Sequence, residues 1–287
     1  GPNVEERIEA DDGETGLPPA GESGRYIILT SGTAGTPKGA QRGSPEGLMP
    51  LASFLSKIPR RAGETVVISA PLFHSWGFSH FVLGLPLGAT MVLSRRFDPE
   101  DTLRSVAQHG AETLVVVPVM MQRMLELPEE VKRRYDVSSL RVTAASGSAL
   151  PGELATNWMD EFGDNLHNLY GSTEVAWATI ATPEDMRAAP GTAGRMPRGT
   201  VIRIVDAEGR DLPTGETGRI FVGNGMAFEG YTGGGDKERL DDLVSSGDVG
   251  HFDSSGRLFI DGRDDEMIVS GGENVFPREV EDLLSDH

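Results

Sequence analysis

From Thr65 to Tyr170 the chain switches repeatedly between two hydrophobic periods, and few folds tolerate that pattern. Short apolar runs read as strands at Thr65–Ala70, Ala89–Ser94, Thr113–Val117, Val142–Ala145 and Asn165–Tyr170. Between them lie helical stretches. The clearest is Asp98–Gly110: Asp98 caps the free N–H groups, Pro99 fits the first helical position, and Gly110 closes the far end. A Met-rich helix is expected at Val119–Leu125 and another at Pro151–Phe162. Strands that alternate with helices imply a mostly parallel sheet covered on both faces.

The flanking segments differ in texture. Residues 1–24 are polar and rich in Gly, Pro and Glu, and read as a flexible lead-in. Arg25–Thr30 is a short apolar strand that runs into a Gly/Thr loop, and a helix is expected near Met49–Lys57. After Pro190 the pattern changes to short strands and turns, at Val201–Val205, Gly218–Val222, His251–Asp253 and Arg257–Ile260. These suggest a small antiparallel barrel. The expected organisation is an α/β unit over 25–190, a barrel over 191–262, and a final segment over 263–287. That last segment carries a strand at Glu266–Val269 and a helix from Pro277.

Composition narrows the function classes. The 287 residues are 38% hydrophobic, enough for a sizeable core, and include no cysteine. A disulfide framework, a zinc–thiolate cluster and a thiol nucleophile are therefore excluded. A formal net charge of −18 argues against nucleic acid and against an anionic membrane surface. No apolar run reaches membrane-spanning length, and the acidic N-terminus does not resemble a signal peptide; a cytoplasmic location is expected. The same charge repels phosphate, so any nucleotide must be held by backbone N–H groups, a metal and a few placed cations. Lysine occurs only at Lys38, Lys57, Lys132 and Lys237.

One of those lysines sits in Thr30-Ser31-Gly32-Thr33-Ala34-Gly35-Thr36-Pro37-Lys38-Gly39. Glycines let backbone approach phosphate oxygens, hydroxyls add donors, and Lys38 adds a mobile charge. Lys38 stands between Pro37 and Gly39, so this is a phosphate loop but not a Walker A sequence.

This loop resembles that of the adenylate-forming superfamily, which includes acyl-CoA synthetases, firefly luciferase and peptide-synthetase adenylation domains. Further motifs follow in the family's order. Pro71–Gly77 resembles the aromatic acyl-site motif, Ala145–Leu150 the loop bordering adenine, and Leu169–Glu174 the adenine- and magnesium-contacting motif. Ser246–Gly250 resembles the ribose motif, Asp261–Ile268 the hinge to a C-terminal lid, and Gly271–Val275 the first lid segment. The resemblance runs from Tyr26 to the end and is closest to a fatty-acid–CoA ligase.

The resemblance implies the following roles. Thr30, Ser31, Gly32, Thr33, Gly35, Thr36 and Lys38 hold phosphates, while Glu174, assisted by Thr33, anchors Mg²⁺. Thr173 donates to the α-phosphate. Gly147 and Ser148 border adenine, with Tyr170 as its aromatic face and Gly171 and Ser172 beside it. Asp248 suits the ribose hydroxyls because a carboxylate only accepts; Ile260 packs on the nucleoside and Arg263 adds charge. Asp265 is the hinge, a role that Asp264 or Glu266 could share. His74 orients the carboxylate, and Trp76, Phe78, Val175 and Ala176 line the acyl pocket.

The expected cofactors are ATP, Mg²⁺ and coenzyme A, and the expected substrate is a fatty or other apolar carboxylic acid. A carrier protein could replace coenzyme A as acceptor. The alternatives are a fatty-acyl-AMP ligase, a peptide-synthetase adenylation domain, and a nucleotide-binding module without turnover. The absence of any lysine after Lys237 leads to the expectation that the chain is an inactive piece of a longer enzyme, lacking an N-terminal region and most of the lid.

Overall fold

The computed structural model describes residues 26–30, 38–42, 47–226, 228–232, 236–265, 268–270 and 273–275. The chain begins with β1 (Tyr26–Thr30) and β2 (Lys38–Arg42), followed by the helix Met49–Lys57. Next come β3 (Thr65–Ile68), the helix Ser75–Gly84, β4 (Thr90–Leu93), the helix Pro99–His109 and β5 (Thr113–Val116). The helices Pro118–Leu125 and Glu129–Lys132 lead to β6 (Val142–Ala145), the helix Gly152–Phe162, β7 (Leu166–Tyr170), β8 (Thr179–Ala181) and the helix Pro183–Ala188. The remainder is nearly all strand: β9 (Val201–Val205), β10 (Gly218–Gly223), β11 (Phe228–Tyr231), β12 (Arg239–Leu240), β13 (Leu243–Phe252), β14 (Leu258–Arg263), β15 (Ile268–Ser270) and β16 (Glu273–Val275).

The alternating region forms a six-stranded sheet in the order β4-β3-β5-β6-β7-β8. Its neighbours pair in parallel except β7 with β8. Strand side chains point alternately to opposite faces, and the core divides accordingly. Val67, Leu114, Val116 and Ala145 pack with Leu103, Met121 and Trp158 on one side. Val66, Ile68, Val115 and Ala144 pack with Phe54, Ile58 and Trp76 on the other. Both faces are covered, as the doubled periodicity required.

Local chemistry fixes the helix Pro99–His109 as expected. The Asp98 carboxylate accepts from the Asp101 N–H at 2.9 Å, and Gly110 closes the helix at φ 56°. The helix Ser75–Gly84 is new relative to the sequence reading. Its residues SWGFSHFVLG are apolar on several faces, so no polar stripe betrays the helical period.

The last third curls into an antiparallel half-barrel of β12-β13-β10-β9, with β14 also paired to β13. Strand β13 corrects the expectation of a short strand at His251–Asp253, because it runs unbroken from Leu243 and carries the Ser246–Gly250 motif inside it. Gly247 at φ 82° and a register shift beside Val249 bend it there, which hides the alternation. A third sheet, β1-β2-β11, joins the Gly-rich loop's two arms to the strand ending at Tyr231.

Candidate functional site

The sheet order reverses between β3 and β5, since β4 lies on one side of β3 and β5 on the other. Open α/β sheets bind ligands outside the carboxyl ends of strands, at such a switch point. Pro71–Gly77 leaves the carboxyl end of β3, Ser146–Leu150 that of β6, and Gly171–Trp177 that of β7. Three motifs scattered over a hundred residues thus share one edge.

Thr30 and Lys38 face each other as the last register pair of β1 and β2, so they form the two ends of the Gly-rich loop. Ser31, Gly32, Thr33, Gly35 and Thr36 lie outside the described residues, as do Glu266 and the segment from Pro277. β2 pairs with β11, and the Thr232 N–H donates to the Gly39 carbonyl at 2.8 Å. That pairing brings Tyr231 to Glu174: the phenol donates to Oε1 at 2.8 Å.

The segment after β7 is a tight turn. The Ala178 N–H donates to the Tyr170 carbonyl at 2.8 Å, and Ala176 adopts φ 61°. A Cβ on Gly171 would lie 2.1 Å from the Ala176 carbonyl oxygen, so the turn itself demands glycine. The Ser172 hydroxyl accepts from the N–H groups of Glu174 (3.2 Å) and Val175 (3.3 Å) and donates to Glu174 Oε2 at 2.9 Å. Asn224 holds the other side, donating to the carbonyls of Val175 (2.7 Å) and Trp177 (2.8 Å).

Glu174 is thereby oriented and ionised. Burial pushes its carboxyl up, but the hydrogen bonds from Tyr231 and Ser172, its own backbone and the charge of Lys237 outweigh burial and hold it below the ordinary range. An oriented carboxylate suits a hard cation such as Mg²⁺. Among the described residues no group of three His, Asp or Glu side chains could hold a metal ion.

Asp248 and Arg263 are direct partners in the β13–β14 ladder, which sets Arg263 Nη1 3.6 Å from Asp248 Oδ1. The Tyr170 phenol donates to Asp248 Oδ2 at 2.5 Å, tying the parallel sheet to the half-barrel. Burial, then the adjacent Asp248 charge, pushes the Tyr170 hydroxyl well up, so it stays a donor. Ile260 and Tyr170 both pack against the half-barrel core. Arg263 Nε also donates to Asp265 at 3.1 Å, and the Asp264 N–H to the Gly247 carbonyl at 3.1 Å. A Cβ built on Gly247 would lie 3.4 Å from Lys237 Nζ and 3.6 Å from Arg263 Nη2, so two cations overlie this glycine.

The expected acyl-pocket residues divide between two places. Trp76 is buried on the sheet, its indole N–H donating to the Val116 carbonyl at 3.0 Å, and Phe78 on the same helix is half-buried. Val175 packs instead in the half-barrel core, and Ala176 belongs to the turn after Glu174. His74 is exposed as the N-cap of the helix Ser75–Gly84, its ring 4.5 Å from that of the 77% exposed Phe73. Gly147 takes φ 97° just beyond β6, Ser148 is exposed beside it, and Thr173 is half-buried.

Three polar groups here escaped the sequence reading: Tyr231, Asn224 and Lys237. None lies in a motif considered above. The one available signal was rarity, with four tyrosines and four lysines in the chain.

Comparison with known proteins identifies the family and the fold. The family model described as AMP-binding enzyme matches residues 2–232. The chain is 33% identical over 265 residues to indoleacetate–CoA ligase of Aromatoleum aromaticum, covering 91% of this chain and 51% of that protein. It is 32% identical over 280 residues to a feruloyl-CoA synthase of an Amycolatopsis species, covering 96% of this chain and 56% of that one. The structure resembles o-succinylbenzoate CoA synthetase of Bacillus subtilis, solved in complex with its acyl-adenylate intermediate. The TM-score is 0.79 at 28% identity, over 91% of this chain and 53% of that chain. The chain spans about half the length of the curated relatives it matches.

Proposed function

Since the chain belongs to the AMP-binding enzyme family, we propose that the protein it comes from activates a carboxylic acid with ATP and passes the acyl group to coenzyme A. In the first step a carboxylate oxygen attacks the α-phosphorus, giving acyl-adenylate and pyrophosphate. In the second the coenzyme A thiol attacks the acyl carbon, AMP leaves, and the thiol proton is released. The observation that carries this reading is the convergence at one sheet edge of ionised Glu174 with the Tyr170–Asp248–Arg263 set.

An anion must attack an anion, so positioned positive charge and donors dominate catalysis. The Thr30–Gly39 loop and Lys38 hold the β- and γ-phosphates, and Thr173 donates to the α-phosphate. Asp248 accepts from the ribose hydroxyls, while Arg263 balances its charge. Tyr170 presents its ring to adenine, with Gly147 and Ser148 along its border and Gly171 and Ser172 beside it. Glu174, with Thr33, would hold Mg²⁺, which neutralises phosphate charge when bound. His74 orients the acid's carboxylate at the rim, and Asp265 is the hinge.

The acid we propose is apolar and ring-bearing. Phe54, Trp76 and Trp177 cluster under the aromatic motif, and the relatives named above act on indoleacetate, ferulate and succinylbenzoate. Fatty acids are the second apolar class. A span of about half the relatives' length should bind nucleotide yet turn over far more slowly than the whole protein. The test screens aryl, fatty and amino acids for acid-dependent pyrophosphate release by the whole protein, with and without coenzyme A. Release with no acid would sink the proposal, and faster release with amino acids would overturn the acid class. Adenylate that forms but is not consumed by coenzyme A would point to a carrier-protein acceptor.

A further inference from the structure

Lys237 is half-buried in the short segment between β11 and β12. Its backbone is pinned there. The Lys237 N–H donates to the Asp236 carboxylate at 2.8 Å, and the carbonyl of Glu238 accepts from the Ser245 N–H on β13 at 2.9 Å. In a chain of net charge −18 a lysine so placed is expected to sit in an ion pair. Among the described residues no carboxylate lies within pairing distance of its ammonium, because the neighbouring ones are already engaged. Asp236 accepts from Arg239 at 3.0 Å, Glu238 pairs with Arg219, and Asp265 accepts from Arg263 at 3.1 Å. Glu174 accepts from Tyr231 and Ser172.

The ammonium points to the residue before Asp248. A Cβ built on Gly247 would lie 3.4 Å from Lys237 Nζ and 3.6 Å from Arg263 Nη2, so two cations converge on one point that glycine leaves empty. Like charges brought together repel. Arg263 is offset by Asp248 and Asp265, whereas Lys237 brings a positive charge that no described carboxylate pairs with. That charge is felt on two sides. At Glu174 burial raises the carboxyl and the hydrogen bonds of Tyr231 and Ser172 lower it, and Lys237 adds to the lowering. At Asp265 it adds to the hydrogen bond from Arg263. Lys237 is therefore within electrostatic reach of the carboxylate assigned to Mg²⁺ and stands beside the one assigned to ribose.

A nucleotide with its ribose on Asp248 and its metal-bound phosphates toward Glu174 passes its α-phosphate between the two, since that phosphate is the one bonded to the ribose. We propose that Lys237 donates to the α-phosphate of the bound nucleotide, as a cation additional to Lys38 of the Gly-rich loop. This inference rests on the acid-activating reading above and adds a residue that lies in none of its motifs. The α-phosphate stays with the ribose through ATP, acyl-adenylate and AMP, so Lys237 holds the nucleotide at every stage. Its charge also offsets the repulsion between the attacking carboxylate and the α-phosphate. A flexible lysine stem reaches such an oxygen without movement of the backbone.

The experiment uses the whole protein and compares adenosine with AMP by calorimetry, without added metal. Wild type should bind AMP more tightly than adenosine. Lys237→Met should lower AMP affinity about 10- to 100-fold, the range for one charge-assisted hydrogen bond, and leave adenosine affinity unchanged. Lys237→Arg, which keeps the charge, should retain part of the preference. Asp248→Ala should instead weaken adenosine and AMP alike. Phosphorus-31 titration of bound AMP supplies a second readout. A cation beside the phosphate favours its dianion, so the second ionisation should lie lower in wild type than in Lys237→Met. Equal losses for adenosine and AMP in Lys237→Met, or no loss for either, overturn the inference while adenylation itself stands. A loss confined to coenzyme A, whose phosphates offer the same chemistry, overturns it too. If wild type binds neither adenosine nor AMP, the acid-activating reading fails instead.

Discussion

The Tyr170 phenol donates to the Asp248 carboxylate at 2.5 Å, across 78 residues of sequence. One hydrogen bond therefore joins the carboxyl end of a parallel strand to the longest strand of the half-barrel. One Asp248 oxygen is thus taken by the phenol, and the other lies 3.6 Å from Arg263 Nη1.

Tyr170→Phe should weaken AMP binding and destabilise the fold together. A hydrogen bond to a charged partner contributes about 1.5–3 kcal/mol. Calorimetry with AMP and urea unfolding should both register the loss. Asp248→Ala should lower AMP affinity further, and unchanged affinity in that variant would remove Asp248 from the ribose role.

Tyr231→Phe should change the pH dependence of stability. The folded Glu174 carboxyl titrates below its ordinary value of 4.5. It therefore favours the fold above that value, and the contribution disappears as pH falls through the lower folded value. Removing the phenol leaves burial less opposed and raises the folded value. Wild type should exceed the variant most above the ordinary carboxylate value, and the gap should close as pH falls through the lower folded value of Glu174. A gap independent of pH in urea titrations would refute the Tyr231–Glu174 coupling.

Gly171→Ala should collapse the turn that presents Glu174. The added Cβ would meet the Ala176 carbonyl oxygen at 2.1 Å, and backbone cannot step aside as a flexible side chain can. Overpacking of this kind costs about 1–3 kcal/mol. Nucleotide binding should fall more than thermal stability does, since Ser172, Glu174 and Val175 all depend on the turn.

Asp98→Ala provides the contrast. Its carboxylate caps a helix on the surface and touches no motif. Stability should drop by about 1 kcal/mol, with nucleotide affinity unchanged. An effect on affinity would mean that the helix Pro99–His109 communicates with the site.

By itself the sequence determined most element types and supplied the motifs from which the candidate site was read. Short apolar runs such as Thr113–Val116 and the capped helix after Asp98 are local, so their signals survive in a single chain. The α/β sheet followed by a β half-barrel was legible for the same reason. The helix Ser75–Gly84 and the length of β13 were not, because one lacks a polar face and the other bends at Gly247. Tertiary structure alone decided the pairings. Tyr231 meets Glu174 across 57 residues, and Arg60 meets His80 across 20. Val175 joins the half-barrel core, while Trp177, two residues on, packs with Trp76 against the sheet core. Such contacts have no sequence period: they depend on strand order and register, which emerge only when both faces of the sheet are buried at once.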